Sequence, residues 1–252
     1  ENFAAKQRTE ELGQLKLKLI DHTGKEFYDP NFLLRVARNN KPIGWASDTP
    51  LKVGAATYQI TIHRGGGPVG RGSSYTREVT VAEGQETLVT LRFGVFRFDL
   101  TDVDGKPSKG ARVEIEYVSE DGSTGGTFSE MSSADIPLIP GKYRYKAWLQ
   151  QGGSQSGEVQ VLPAELEKQS SGLGMLSLLA NGRPIRNRDK HSIMLTPLNP
   201  PGDFIVVHNL KRPQLFPGTY RAQLLDPEGK SSEKLEFTVE SGKAANLDFK
   251  MK

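Results

Sequence analysis

The stretch LIPGKYRYKAWL at residues 138–149 has a near copy, LFPGTYRAQLL, at residues 215–225, and a blurred third, KVGAATYQITI, at residues 52–62. A phrase written three times points to internal repetition, which governs the whole fold when it is real. Tyr58, Tyr143 and Tyr220 are each preceded, 45 to 49 residues earlier, by a glycine that opens an alternating segment. These openings are Gly13 with QLKLKLID, Gly94 with VFRFDLTD and Gly174 with MLSLLANG. A turn follows each opening: DHTGKE (21–26), DVDGKP (102–107) and ANGRP (180–184). Glycine there supplies the positive φ such turns require. After each tyrosine strand comes a second alternating strand: REVTVAEGQETLVTLRF, GEVQVLPAELEKQSSGL and LEFTVESGKAANLDFKM. The landmarks divide the chain into a leader, residues 1–11, and three copies, residues 12–93, 94–173 and 174–252.

Period two decides the fold class. Leu15, Leu17 and Leu19 alternate with Lys16 and Lys18, and Ala111, Val113, Ile115 and Tyr117 alternate with Arg112, Glu114 and Glu116. Tyr143, Tyr145, Ala147 and Leu149 alternate with Lys142, Arg144, Lys146 and Trp148. One apolar and one charged face predict half-buried antiparallel strands, since a parallel sheet would call for crossover helices. About seven short strands per copy, with frequent turns, predict an all-β chain of three tandem immunoglobulin-like β-sandwiches. Phe93-Gly94 and Leu173-Gly174 leave no linker between copies, so an extended, stiff array is expected. The leader, ENFAAKQRTEEL with Leu12 included, reads as a linker or a short frayed helix.

In immunoglobulin-like sandwiches a tyrosine at the start of strand F hydrogen-bonds backbone a few residues upstream and pins a corner. Tyr58, Tyr143 and Tyr220 are expected to be such structural corners. LTDVDGKPSKGARVEI (100–115), followed by PGKY, resembles the carboxypeptidase-regulatory-like or transthyretin-like (prealbumin-like) domains of bacterial envelope proteins. The resemblance covers most of the second copy and the turn and tyrosine landmarks of the third. The first copy departs from it, with GAATY in place of Pro-Gly-x-Tyr and Glu26 in place of proline. The resemblance implies domains that space, stiffen or present other modules, with no catalytic residues to carry over.

The chain has 252 residues, no cysteine, 27 glycines, 15 prolines and a net charge of +3. Lack of cysteine excludes disulfides, thiolate metal sites and a cysteine nucleophile. No apolar run is long enough for a membrane span. A start at Glu1-Asn2-Phe3, without methionine, reads as a processed product or an excised fragment. The copies carry +4, −4 and +4, and residues 1–11 carry −1. Alternating sign favours close neighbour packing or staggered self-association, and disfavours a basic track for nucleic acid.

Little else signals chemistry. HRGGGPVGRGSS (63–74) imitates a phosphate cradle but lacks Gly-Lys-Ser/Thr and runs into a strand. It reads as a long hairpin loop between the last two strands of the first copy, with Arg64 and Arg71 as candidate contacts for an anionic partner. His22, His63, His191 and His208 form no ligand pattern, and solvated or hydrogen-bonded surface roles are expected. Asp102 and Asp104 offer carboxylates in a turn without the remaining ligands of a calcium loop. Trp148 falls on the charged face of its strand, where an aromatic can stack on a sugar or anchor a protein partner; Trp45 lies in a loop-like segment. The function expected is a non-enzymatic, extracytoplasmic structural or interaction rod in a bacterial periplasm or cell surface, without cofactor or metal. The alternative is a carbohydrate- or ligand-binding array using exposed aromatics and loop tips. The partner is accordingly a protein or a surface glycan.

Overall fold

The computed structural model describes residues 12–27, 32–46, 50–64, 74–118, 124–149, 153–185, 190–199, 201–208, 210 and 213–251, and every regular element among them is a strand. The first copy supplies β1 (Gly13–Ile20), β2 (Phe32–Arg38), β3 (Lys41–Ala46), β4 (Leu51–Val53), β5 (Ala56–Arg64), β6 (Ser74–Val81) and β7 (Glu86–Arg92). The second supplies β8 (Gly94–Thr101), β9 (Arg112–Val118), β10 (Thr124–Met131), β11 (Ile136–Leu138), β12 (Gly141–Leu149), β13 (Gly153–Val161) and β14 (Leu166–Gly172). The third supplies β15 (Gly174–Ala180), β16 (Arg183–Pro184), β17 (Ser192–Asn199), β18 (Ile205–Val207), β19 (Gln214–Leu215), β20 (Gly218–Leu225), β21 (Ser231–Val239) and β22 (Ala244–Phe249).

One strand order recurs. The first copy forms sheets β4-β1-β7 and β3-β2-β5-β6, and the second forms β11-β8-β14 and β10-β9-β12-β13. The third forms β16-β15-β19, with β22 also on β15, and β18-β17-β20-β21. Alternation drives both sheets of a copy onto a shared apolar cluster. Leu15, Val89 and Leu91 from one sheet meet Leu34, Val36, Ile60 and Ile62 from the other, all buried. Phe96 and Phe98 meet Val113, Ile115 and Tyr145, and Leu176 and Phe249 meet Ile193, Leu195 and Ala222. Each such side chain contributes about 1.5–3 kcal/mol of burial, the main source of stability in a chain without disulfides.

Three expectations need correction. The first and last strands of each copy run parallel, β1 with β7, β8 with β14 and β15 with β22, and no helix joins them among the described residues. The intervening strands themselves form the crossover, carrying the chain through the opposite sheet and back, so a helix is unnecessary. The second alternating strand after each tyrosine is two strands, broken at residues 82–85, 162–165 and 240–243. Gly84, Ala164 and Gly242 stand at φ of 66°, 61° and 69° there, and the reversal sends the chain to the other sheet. Consequently β5 and β6, which flank HRGGGPVGRGSS and pair from Ala56↔Val81 to His63↔Ser74, are followed by β7 and are not the final pair.

The glycines that open the copies have a steric cause. A Cβ on Gly13, Gly94 or Gly174 would lie 2.4 Å from the Cγ1 of Val81, Val161 or Val239 respectively. It would also lie 2.2–2.6 Å from the carbonyl oxygen of Ala82, Leu162 or Glu240. The first strand crosses the end of the sixth strand of its copy (the seventh in the third copy) at backbone contact, where only glycine fits.

The tyrosines sit where the chain changes sheets. Tyr58 Oη donates to the Gly54 carbonyl at 2.6 Å, Tyr143 Oη to Ile139 at 2.7 Å and Tyr220 Oη to Phe216 at 2.8 Å. Each bond spans the step from β4 to β5, β11 to β12 or β19 to β20, so the hydroxyl ties the two sheets at their corner. In the first two copies this tyrosine opens the fifth strand, one earlier than strand F of the immunoglobulin pattern. Asp21, Asp102 and Asp226 close a second recurring turn. Each Oδ1 accepts the backbone N–H two and four residues on, at 2.8–3.0 Å. The Asp102 carboxylate is thereby engaged by its own loop.

Candidate functional site: the copy junctions and the Trp148 cleft

The residue before each Pro-Gly is apolar, Ile139 in the second copy and Phe216 in the third. Its carbonyl serves the tyrosine corner, which fixes the side chain to project away from its own copy. Ile139 is fully buried in the first copy's cluster, which also holds Phe93. Phe216 is fully buried in the second copy's cluster, its ring centroid 6.4 Å from that of Phe98 in an edge-on arrangement. Each copy after the first therefore completes the core of the one before it. The equivalent position in the first copy is Gly54, which has no side chain to offer.

Backbone contacts accompany the seats. The Ala164 N–H donates to the Phe93 carbonyl at 2.9 Å, and the Gly242 N–H donates to the Leu173 carbonyl at 3.0 Å. At the second junction a Cβ on Gly172 would fall 2.0 Å from Ser241 Oγ, and one on Gly153 would fall 2.8 Å from Tyr220 Oη. At the first, Arg97 holds Asp135 at 2.6 Å and keeps its carboxyl below the usual range, helped by the nearby charge of His22 from the first copy.

The second junction also encloses a cleft of about 610 Å³. One wall is the charged face of the β9–β12–β13 sheet, with Glu114, Lys146, Trp148 and Ser154; the other is the β17–β18 connection, with Pro201 and Asp203. Register places Lys146 opposite both Glu114 and Ser156, and Trp148 opposite both Arg112 and Ser154. Further along the same face, Lys142 and Arg144 converge on Glu158 at 2.7 and 3.2 Å, and hold its carboxyl below the usual range by hydrogen bonding. Among the described residues no ion pair engages Glu114, Lys146 or Asp203.

Trp148, expected on the charged face, stands there half-buried as a lining residue of this cleft. Its opposite wall was not anticipated, because those residues lie some fifty positions downstream. The side chains of Trp45, His63 and Arg64, and all of Arg71 and the leader 1–11, lie outside the described residues. His208 is exposed. His22 and His191 differ from the expected solvated or hydrogen-bonded state: each Nδ1 is buried and meets no hydrogen-bond partner among the described residues. No group of three metal-ligating side chains assembles among the described residues. No helix among them is long and apolar enough to cross a membrane.

No family model matches the chain, and no curated protein sequence matches it. Among solved structures, the TIE protein of Bacillus anthracis aligns at 15% identity with a TM-score of 0.25, covering 96% of this chain and 51% of that one. A streptococcal ancillary pilin aligns at 12% identity and TM-score 0.27, over 96% of this chain and 99% of that one. The pilus adhesin SpaC of Lactobacillus rhamnosus GG aligns at 9% identity and TM-score 0.25, over 95% and 43%. This chain thus spans about half the length of the TIE protein chain it matches. Superpositions this loose carry no argument about fold or function.

Proposed function

We propose that residues 12–93, 94–173 and 174–252 are three tandem immunoglobulin-like β-sandwiches of the carboxypeptidase-regulatory-like or transthyretin-like kind, locked into a semi-rigid array. Its role is non-enzymatic: it spaces or presents a binding module, or docks a protein partner, in the periplasm or at the cell surface of a bacterium. The observation that carries this reading is the repeated seat, Ile139 in the first cluster and Phe216 in the second. Undocking would expose a phenyl ring and an aliphatic side chain at about 1.5–3 kcal/mol each and would break one backbone hydrogen bond per junction. Those costs oppose bending, which is what a spacer requires. The Trp148 cleft favours the second reading, ligand binding, on the same scaffold.

Small-angle X-ray scattering of the intact chain tests the array. Three sandwiches end to end, at roughly 3.3 Å per strand residue, give a maximum dimension on the order of 100 Å. A compact globule, or the profile of beads on a flexible string, would overturn the reading.

A further inference from the structure

We propose that the Trp148 cleft is a saccharide site, taking a neutral oligosaccharide of about two or three pyranose rings. It rests on the fixed second junction, because its walls come from both sides of that junction. The cleft volume, about 610 Å³, lies within the range of roughly 300–1,000 Å³ typical of ligand pockets.

The indole is the anchor. Trp148 packs into none of the three apolar clusters, although its neighbours Ala147 and Leu149 both join the second. Strand phase turns it onto a charged face, where a large apolar ring is a poor choice for solubility and a good platform for the C–H face of a sugar. The wall across the cleft adds apolar surface from Pro197, Pro201 and Ile205. An indole on one side and prolines on the other suit a flat, amphipathic ring.

The polar groups select the kind of sugar. Glu114 and Asp203 accept hydrogen bonds from hydroxyls, Lys146 donates to a hydroxyl or ring oxygen, and Ser154 and Ser156 do either. Lys142 and Arg144, by contrast, are already committed to Glu158. Glu114 and Asp203 are balanced by Lys146 and by Arg112, which register places opposite Trp148, so the cleft has no excess of positive charge to hold sialic acids, uronic acids or phosphates. A neutral polyol matches both the donors and the balance of charge.

Trp45→Phe leaves Trp148 as the sole indole reporter. This variant is titrated with lactose, maltotriose, cellotriose, chitotriose and sialyllactose, following emission, with calorimetry on the wild type alongside. At least one neutral member is expected to shift the emission saturably. Trp148→Ala should weaken its calorimetric affinity at least about tenfold, a loss of about 1.4 kcal/mol, with unchanged melting temperature and scattering profile. Asp203→Asn should weaken it less, and raising the salt concentration should leave it unaltered. Silence across the neutral members, binding confined to sialyllactose, or affinity retained in Trp148→Ala would each overturn the proposal. So would capture of an extended peptide on the β13 edge that blocks the cleft while the sugars stay silent. Failure of the array itself would show in the scattering of the sugar-free wild type.

Discussion

Replacing Phe216 by alanine removes a ring that is fully buried in the core of the preceding copy and packs edge-on against Phe98. Truncations of this kind cost about 3–5 kcal/mol, the lost transfer energy plus the cavity left behind. Against a total stability of about 5–15 kcal/mol, that is a large fraction. The backbone carbonyl of residue 216 survives the change, so Tyr220 keeps its hydrogen bond and the corner of the third copy remains. The loss therefore falls on the second core and on its coupling to the third. In guanidinium unfolding followed by Trp148 emission and by far-UV circular dichroism, the midpoint of the second copy should drop, and the third should unfold in a separate step seen only in the dichroism. Leu88→Ala provides the control: Leu88 is 48% exposed, and its truncation should cost no more than about 0.5 kcal/mol. A Phe216→Ala curve within about 0.5 kcal/mol of the wild type would refute the seat as an energetic feature.

Burial pushes the Tyr220 hydroxyl up to about 12, above an ordinary value near 10. Its contribution is complete below pH 10 and is lost as pH rises through 12, a fall of about 2–3 kcal/mol that Tyr220→Phe should abolish. At neutral pH the same substitution leaves the Phe216 carbonyl without its donor and should destabilise by about 1–2 kcal/mol, read by urea titration. Gly94→Ala drives a Cβ against the Leu162 carbonyl and should cost at least about 3 kcal/mol, whereas Gly105→Ala, with φ +76° and open space, should cost only about 1–2 kcal/mol. Equal melting temperatures for those two variants would contradict the crossing argument. Ala164 holds φ 61° at a turn where the other copies use glycine, so Ala164→Gly should raise stability by about 0.5–1 kcal/mol in thermal melts.

What was legible in the sequence is what a single residue type can do alone. Gly13, Gly94 and Gly174 mark the start of each copy, Asp102 and Gly105 mark a turn, and the tyrosines mark the sheet change, because few other residues fit those geometries; the backbone crossing at the glycines was visible only in space. Strand phase likewise put Trp148 on the charged face. Pairing was not legible. That β1 lies parallel to β7 depends on contacts some seventy residues apart, and period two is the same for either direction. The turns at Gly84 and Ala164 were hidden inside runs whose alternation continues on both sides. Ile139 and Phe216 stood inside the repeated phrase, yet nothing local says that their side chains belong to another copy's core. One signal was available: the first copy has Gly54 where the other two have an apolar side chain.

The measurement that meets the central claim most directly is a pulsed dipolar distance across the second junction. The chain has no cysteine, so Gln160→Cys on β13 and Lys234→Cys on β21, both exposed, accept spin labels uniquely. A seated Phe216 predicts one narrow distance distribution in the wild-type background and a broadened one in Phe216→Ala. A broad distribution already present in the wild type would contradict the locked array.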